Sequence, residues 1–377
     1  MTFRLAAALA AAAATFALGG RARAAVDTHP VECPVDSTEV SVTIPLSTNA
    51  LLGHDRDLCP HASDPASDEI ATAVSGCTTC GFAGTPAEFQ GELSETVVAR
   101  IKQELKPAGT PWERYANRAR ILEWTSAPEA SIGESWLRAA WSVRLEARDP
   151  GDPELAEAMK KVSALAPDTS AAGKPAGAQS GAQRIAADAL LDPAHSLEAL
   201  LEGEHAPESR ADRAAGWYAA ASLWRSRGEL ANAEARFGRA LDAATGTPLA
   251  GAVKNAVERD RSSMSLEKDY LARALTHFKT ALALQKLPAH QKALLAFLAA
   301  ECARRTGAAG DAAALYREAS AVKDPDADPQ MKPLLDAGLA ETSAAKPAGR
   351  TGKTGKTEKT DKSGTPAPTG TSGKKAP

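Results

Sequence analysis

The residues able to do chemistry gather in three short segments, VECPVDS, HDRDLCPHA and SGCTTCGFA. Cys77 and Cys80 are two residues apart and followed by Gly81. That is the spacing of a zinc knuckle: two thiolates reach one metal, and the glycine admits a tight turn whose amides face the sulfurs. Cys33 and Cys59, each followed by a proline, are the candidates for the other two corners of a four-thiolate zinc site. His61, two residues past Cys59, is a reserve ligand. Two other readings stay open. Four cysteines in a short region suit structural disulfides in a chain outside the cytoplasm. The Cys77/Cys80 pair also has the spacing of a thiol–disulfide redox motif, although such a motif belongs in a βαβ unit and none is visible. Cys302 stands apart among alanines and reads as a small core residue.

Asp55 and Asp57 flank Arg56 beside Cys59 and read either as acceptors that orient the ligands or as a solvated charged turn. Elsewhere the sequence lacks GxSxG, HExxH, P-loop and GxGxxG patterns, and its carboxylates are spread along helices like solvated faces. No residue is singled out as catalytic, and the chain reads as non-enzymatic.

The cysteine segments need elements to hold them. Residues 30–90 are rich in turn-forming clusters and form a small module. Residues 92–165 turn helical: Trp112, Tyr115, Ala116, Ala119 and Leu122 follow the spacing of one buried face. In the next helix Trp136, Ala140 and Val143 mark one face and Leu137, Trp141 and Leu145 another, so it should be covered on both sides. Residues 166–182 are small and flexible in composition and read as a linker, and residues 183–345 are helical again. The tail, 346–377, has no side chain able to build a core and reads as disordered.

Trp217 to Leu241 resembles a tetratricopeptide repeat, with Trp217 and Trp224 on a first helix and Gly228, Leu230, Ala233, Phe237, Ala240 and Leu241 after it. The second-helix pattern recurs at Leu271, Ala274, Phe278, Ala281 and Leu282, and in degraded form at Gly307, Ala312, Tyr316 and Ala319. These spacings exceed the regular period, so the repeats are irregular.

Residues 31–89 also resemble the front of an uncharacterised bacterial family, domain of unknown function 2225. The matching pieces are Cys33-Pro34-Val35, the run from Asp55 to Pro60, and Cys77 to Phe82 ending near Phe89. The resemblance implies a zinc ribbon followed by tetratricopeptide-type helices, and no activity. Many members of that family have a second cysteine where this chain has Asp36. The front knuckle here is CPVD, so the metal set draws on Cys59 or on Asp36 through oxygen.

Targeting and charge bound the rest. Arg4, the apolar run Leu5 to Leu18 and Ala22-Arg23-Ala24 read as a secretory signal over residues 1–24, cut before Ala25. No later segment is apolar enough to cross a bilayer. The formal charge of −3 conceals +3 in the signal and +6 in the tail, which leaves −12 for residues 25–345. So acidic a body argues against nucleic-acid binding. The basic tail, with Arg350, Lys353, Lys356, Lys359 and Lys362 three apart, suits either weak contact with anionic envelope polymers or no partner. The expectation is a mainly α chain: a zinc-ribbon-like N-terminal module, a tetratricopeptide-like α-helical array and a disordered tail. It is expected to be exported, periplasmic or secreted, and to bind a protein or peptide.

Overall fold

The computed structural model describes residues 26–45, 54–61, 68–146, 151–165, 187–322 and 331–344. The expected signal, linker and basic tail lie outside the described residues.

Two small antiparallel hairpins open the fold. Strand β1 (Val26–Glu32) pairs with β2 (Glu39–Pro45), with Val31 opposite Val40. Strand β3 (Ser75–Gly76) pairs with β4 (Ala83–Gly84). Between them lies a short helix α1 (Glu69–Thr72), started by the Asp68 carboxylate accepting the Ile70 amide. After them α2 (Pro86–Phe89) opens on a capping box between Thr85 and Glu88.

Helices α3 (Glu95–Glu104), α4 (Pro111–Trp124), α5 (Glu129–Glu146) and α6 (Pro153–Ser163) follow. Their starts are written locally. Ser94, Thr110 and Asp152 each accept an amide of the first turn, and Pro111 and Pro153 occupy the first helical position, where no N–H is needed. The remaining helices are α7 (Ala187–Glu202), α8 (Arg210–Ser226), α9 (Leu230–Ala244), α10 (Ala250–Leu284), α11 (Ala289–Thr306), α12 (Ala309–Ala321) and α13 (Met331–Ala344). The fold is mainly helical, as the periodicity requires. No helix among the described residues is long and apolar enough to cross a membrane.

Three cores divide the apolar side chains. The first joins Cys33, Val40, Val42 and Phe82 of the hairpins and Phe89 of α2 to Val97 and Ile101 of α3, Leu105 just after it, and Ile121 of α4. Its Phe82 and Phe89 rings meet edge to face at 4.9 Å, an arrangement worth about 1 kcal/mol beyond burial. The second gathers α4, α5, α11 and α12 with the C-terminal half of α10. The third gathers α6, α8 and α9 with the N-terminal half of α10. The 35-residue α10 therefore runs through two cores.

The composition shift at 166–182 is not a boundary in packing. Helix α5 lies along α10, and α6 lies along α8. The α5–α10 approach is close enough that a Cβ at Gly133 would stand 2.5 Å from the Phe278 ring. As its two apolar faces require, α5 is covered on both sides: Trp136, Leu137, Ala140, Trp141 and Val143 are all buried.

Hairpins α8–α9 and α11–α12 are two antiparallel helix pairs. The second-helix pattern around Phe278 instead lies in the latter half of α10, with no turn before it. Its neighbours are α5 and α11, one from each helical stretch of the sequence.

A buried charged segment ties the module to the helices. Residues 54–61 close on themselves through a bridge between His54 and Pro60. Asp57 accepts from Trp141 at 2.8 Å and from Arg144 at 2.8 Å, and pairs with Arg305 at 2.7 Å. Arg144 also binds Asp55 and Glu267, at 3.1 and 2.9 Å. Arg56 reaches Glu301 at 2.9 Å, and Tyr316 donates to the same carboxylate. One eight-residue segment thereby bonds to α5, α11 and α12.

Candidate metal centre

The turns of the two hairpins are built alike. The β1–β2 turn is Cys33-Pro34-Val35-Asp36-Ser37-Thr38, and the β3–β4 turn is Cys77-Thr78-Thr79-Cys80-Gly81-Phe82. In each, the first amide donates to the sixth carbonyl: Cys33 to Thr38 at 2.9 Å, Cys77 to Phe82 at 2.7 Å. In each, the fifth residue is left-handed, Ser37 at φ 57° and Gly81 at φ 82°. Only glycine fits the second turn, because a Cβ on Gly81 would lie 2.4 Å from the Lys106 carbonyl oxygen.

The turns face each other and bring four donors together. Cys33, Asp36, Cys77 and Cys80 offer ligand atoms that all lie within 4.8 Å of one another. First position meets fourth position across the pair: Cys33 Sγ is 3.6 Å from Cys80 Sγ, and Cys77 Sγ is 3.7 Å from both Asp36 oxygens. Four ligands about 2.3 Å from a shared tetrahedral zinc would stand about 3.8 Å apart. The spacing fits that ion.

Asp36 fills the place of the missing fourth thiolate down to its hydrogen bond. The Phe82 amide donates to Cys80 Sγ at 3.5 Å, and its counterpart, the Thr38 amide, donates to Asp36 Oδ1 at 3.1 Å. The Thr79 amide donates to Cys77 Sγ at 3.4 Å, and the Val35 and Asp36 amides face Cys33. These amides are the ones that offset thiolate charge in a metal knuckle. Burial pushes the Cys33 thiol up to about 11, against the amides of Val35 and Asp36, and burial also raises Cys80. Burial acts on Asp36 in the same sense, but the Thr38 amide and the neighbouring thiols outweigh it and lower its carboxyl. The carboxylate is ready to ligate, whereas the thiols must lose protons to a metal as it binds.

Helices α3 and α4 brace the second turn. The Asn117 side-chain amide donates to the carbonyls of both Gly81 and Lys106, each at 3.0 Å. Arg118 holds Glu88 through two bonds of 2.8 Å, and Arg114 donates to the Ala71 carbonyl. Cys33 and Cys77 are buried, while Asp36 and Cys80 are half-exposed.

Cys59 is not part of this cluster, which corrects the expected four-cysteine set. Its thiol is fully buried in the core that holds Trp141 and Leu271, and its Sγ lies 3.8 Å from the neighbouring Pro60 carbonyl. Burial raises its pKa well above that of a free thiol, with Asp55 and Asp57 adding to the effect and Arg144 opposing it. His61 also lies outside the cluster of four, and its ring pairs with Asp55 at 2.8 Å. Asp55 and Asp57 are neither solvated nor beside the metal ligands, being buried partners of Arg144. Cys302 is buried among helices, as its alanine-rich surroundings indicate.

The sequence signal for Asp36 was the internal repeat of the turn itself. CPVDST and CTTCGF align without a gap, and the aspartate falls opposite Cys80. The same geometry bears on the redox reading, because Cys80 Sγ also lies 3.6 Å from Cys33 Sγ on the other hairpin. No protein-family model, curated protein or solved structure matches the chain. The case for the site therefore stands on its own geometry.

Proposed function

We propose that this chain is an exported, non-enzymatic scaffold whose N-terminal zinc ribbon is held by Cys33, Asp36, Cys77 and Cys80, and whose helical hairpins bind a protein or peptide. The observation that carries the reading is the pair of matching turns, with three thiols and one carboxylate converging from them. The ion's role is structural. It supplies a cross-link between two hairpins too short to be stable alone, and a closed four-ligand set leaves no position for substrate. The resemblance of residues 31–89 to domain of unknown function 2225 agrees with a ribbon at this place. The hairpins α8–α9 and α11–α12 have the tetratricopeptide manner of large residues beside small ones, as in Trp217 and Phe237 beside Ala233 and Ala240. Export rests on the signal-like residues 1–24, and the basic residues 346–377 suit weak contact with anionic envelope polymers or no partner.

Cobalt titration of the reduced full chain tests the metal reading. Tetrahedral Co²⁺ with three sulfurs gives intense visible and thiolate charge-transfer bands, which zinc then abolishes by displacement. A weak octahedral spectrum would count against the site. A redox function would instead show a reversible disulfide poised near a cellular potential.

A further inference from the structure

Beside the second turn, the α3–α4 connection and the middle of α10 enclose a cavity of about 270 Å³. One side is aromatic. Trp112 and Tyr270 lie 6.4 Å apart, and Tyr270 stacks in turn on Trp136 at 5.4 Å, so the wall is rigid. The base is Ala116 and Asn117, both buried.

The charges around it are unequal in their commitments. Glu113 is occupied at the start of α4, accepting from the amides of Gly109 and Thr110 and from the Thr110 hydroxyl. Glu104 is paired with Arg100 at 2.7 Å. Arg120 and Lys106 also line the cavity, and neither side chain has an ion pair or hydrogen bond among the described residues. The Tyr270 hydroxyl likewise has no hydrogen-bond partner among them. Of the other half-buried arginines, Arg56, Arg118, Arg138 and Arg304 pair with carboxylates, whereas Arg114 donates to the Ala71 carbonyl. Arg120 thus brings to the aromatic wall a guanidinium with no ion pair among the described residues, in a lining where Lys106 and Arg120 balance Glu104 and Glu113.

We propose that this cavity binds a carboxylate attached to a flat apolar group, the chemistry of a peptide's C-terminal aromatic residue or of a free aromatic acid. Arg120 and Lys106 would hold the carboxylate, and the Trp112–Tyr270 wall would take the ring. The volume suits one residue rather than a long segment. This deepens the scaffold reading by naming an occupant for one place on its surface, and it does not depend on the metal. Asn117 nevertheless links the two, since it bonds the Gly81 carbonyl of the metal turn while lining the cavity.

The test is calorimetric titration of the full chain with N-acetyl-Ala-Ala-Phe as free acid and as C-terminal amide, and with phenylacetate. Zinc content is measured on the same samples, so that a failure here is separable from a failure of the metal site. Saturable binding of an acid is expected, with the peptide amide at least about tenfold weaker than the peptide acid. Arg120→Gln should weaken the acids by a similar factor with an unchanged melting temperature, because that side chain holds nothing in place. Arg213→Gln, remote from the cavity, should have no effect. Tighter binding of the peptide acid than of phenylacetate assigns the site to a chain terminus, and equal or tighter binding of phenylacetate assigns it to a free aromatic acid. Absence of saturable binding at millimolar concentration, equal binding of the amide, or an indifferent Arg120→Gln variant would each overturn the proposal, whether or not zinc is bound.

Discussion

Asp57 and Arg144 meet at 2.8 Å with both side chains buried, although 87 residues separate them. Their pair joins the segment beside Cys59 to the last turn of α5. Asp57→Asn keeps the shape but leaves Arg144 and Arg305 short of a charge. A loss of about 3–5 kcal/mol is expected on urea unfolding. Arg261→Gln removes an exposed pair with Glu234 and should cost less than about 1 kcal/mol. Similar costs for the two would deny the buried pair its role.

The same carboxylates set the response to acid. Burial pushes Asp57 and Glu301 upward, but Arg144 and Arg305 outweigh it at Asp57, and Arg304 and Arg56 outweigh it at Glu301. Both are held below the usual carboxylate range. A depressed folded value contributes stability above the unfolded pKa near 4, and that stability drains away as pH falls further. Asp260, raised by burial, works in the opposite sense and softens the effect. Urea midpoints at pH 7 and pH 3.5 should therefore differ, and Asp57→Asn should narrow the difference. An unchanged gap would remove Asp57 from the explanation.

Periodicity made part of this fold legible. Trp217, Ala233, Phe237 and Ala240 are spaced as a buried helix pair requires, and all four are buried. The CTTCG turn announced itself through glycine and thiol spacing. Asp36 entered only as an alternative to Cys59, at the place where the resemblance implies a cysteine, and its alignment with Cys80 across the two turns is what sets it apart. The Asp57–Arg144 pair left no local trace at all, since an ion pair between distant segments has no period. Nor did sequence mark that the Phe278 pattern belongs to the second half of a 35-residue helix, because no Gly or Pro interrupts residues 252–284. Cys59 drew attention by its Cys-Pro setting and the run from Asp55 to Pro60, but it packs in the core around Trp141 and Leu271, whereas Cys33 and Cys77 pack in the core of the hairpins.

The two turns predict opposite outcomes at matching positions. Gly81→Ala must place a methyl against the Lys106 carbonyl in a left-handed conformation, so zinc affinity and melting temperature should both fall. Ser37→Gly relieves a left-handed serine and should leave zinc content intact without lowering stability. Competition with a chromogenic chelator reads the affinity, and a tolerant Gly81→Ala variant would contradict the turn geometry.

Damage at Phe237 should follow the cores rather than the repeat pattern. Phe237→Ala is expected to cost about 3–5 kcal/mol through the cavity it leaves. Phe237 shares its core with Val253, Val257 and Met264 at the start of α10, whereas Phe278 belongs to the neighbouring core. Hydrogen exchange should quicken in α8, α9 and residues 250–264 more than in residues 270–281. The reverse order would mean that α10 does not divide between two cores.

The central claim is the ligand set, and zinc per chain measured on purified full-length variants tests it most directly. The account predicts one zinc in the wild type and in Cys59→Ser and Cys302→Ser, and a marked loss in Cys33→Ser, Cys77→Ser, Cys80→Ser and Asp36→Ala. Asp36→Cys should hold zinc at least as tightly as the wild type, because it restores the fourth thiolate. Loss of zinc from Cys59→Ser with retention in Asp36→Ala would contradict the account and return the site to the four cysteines.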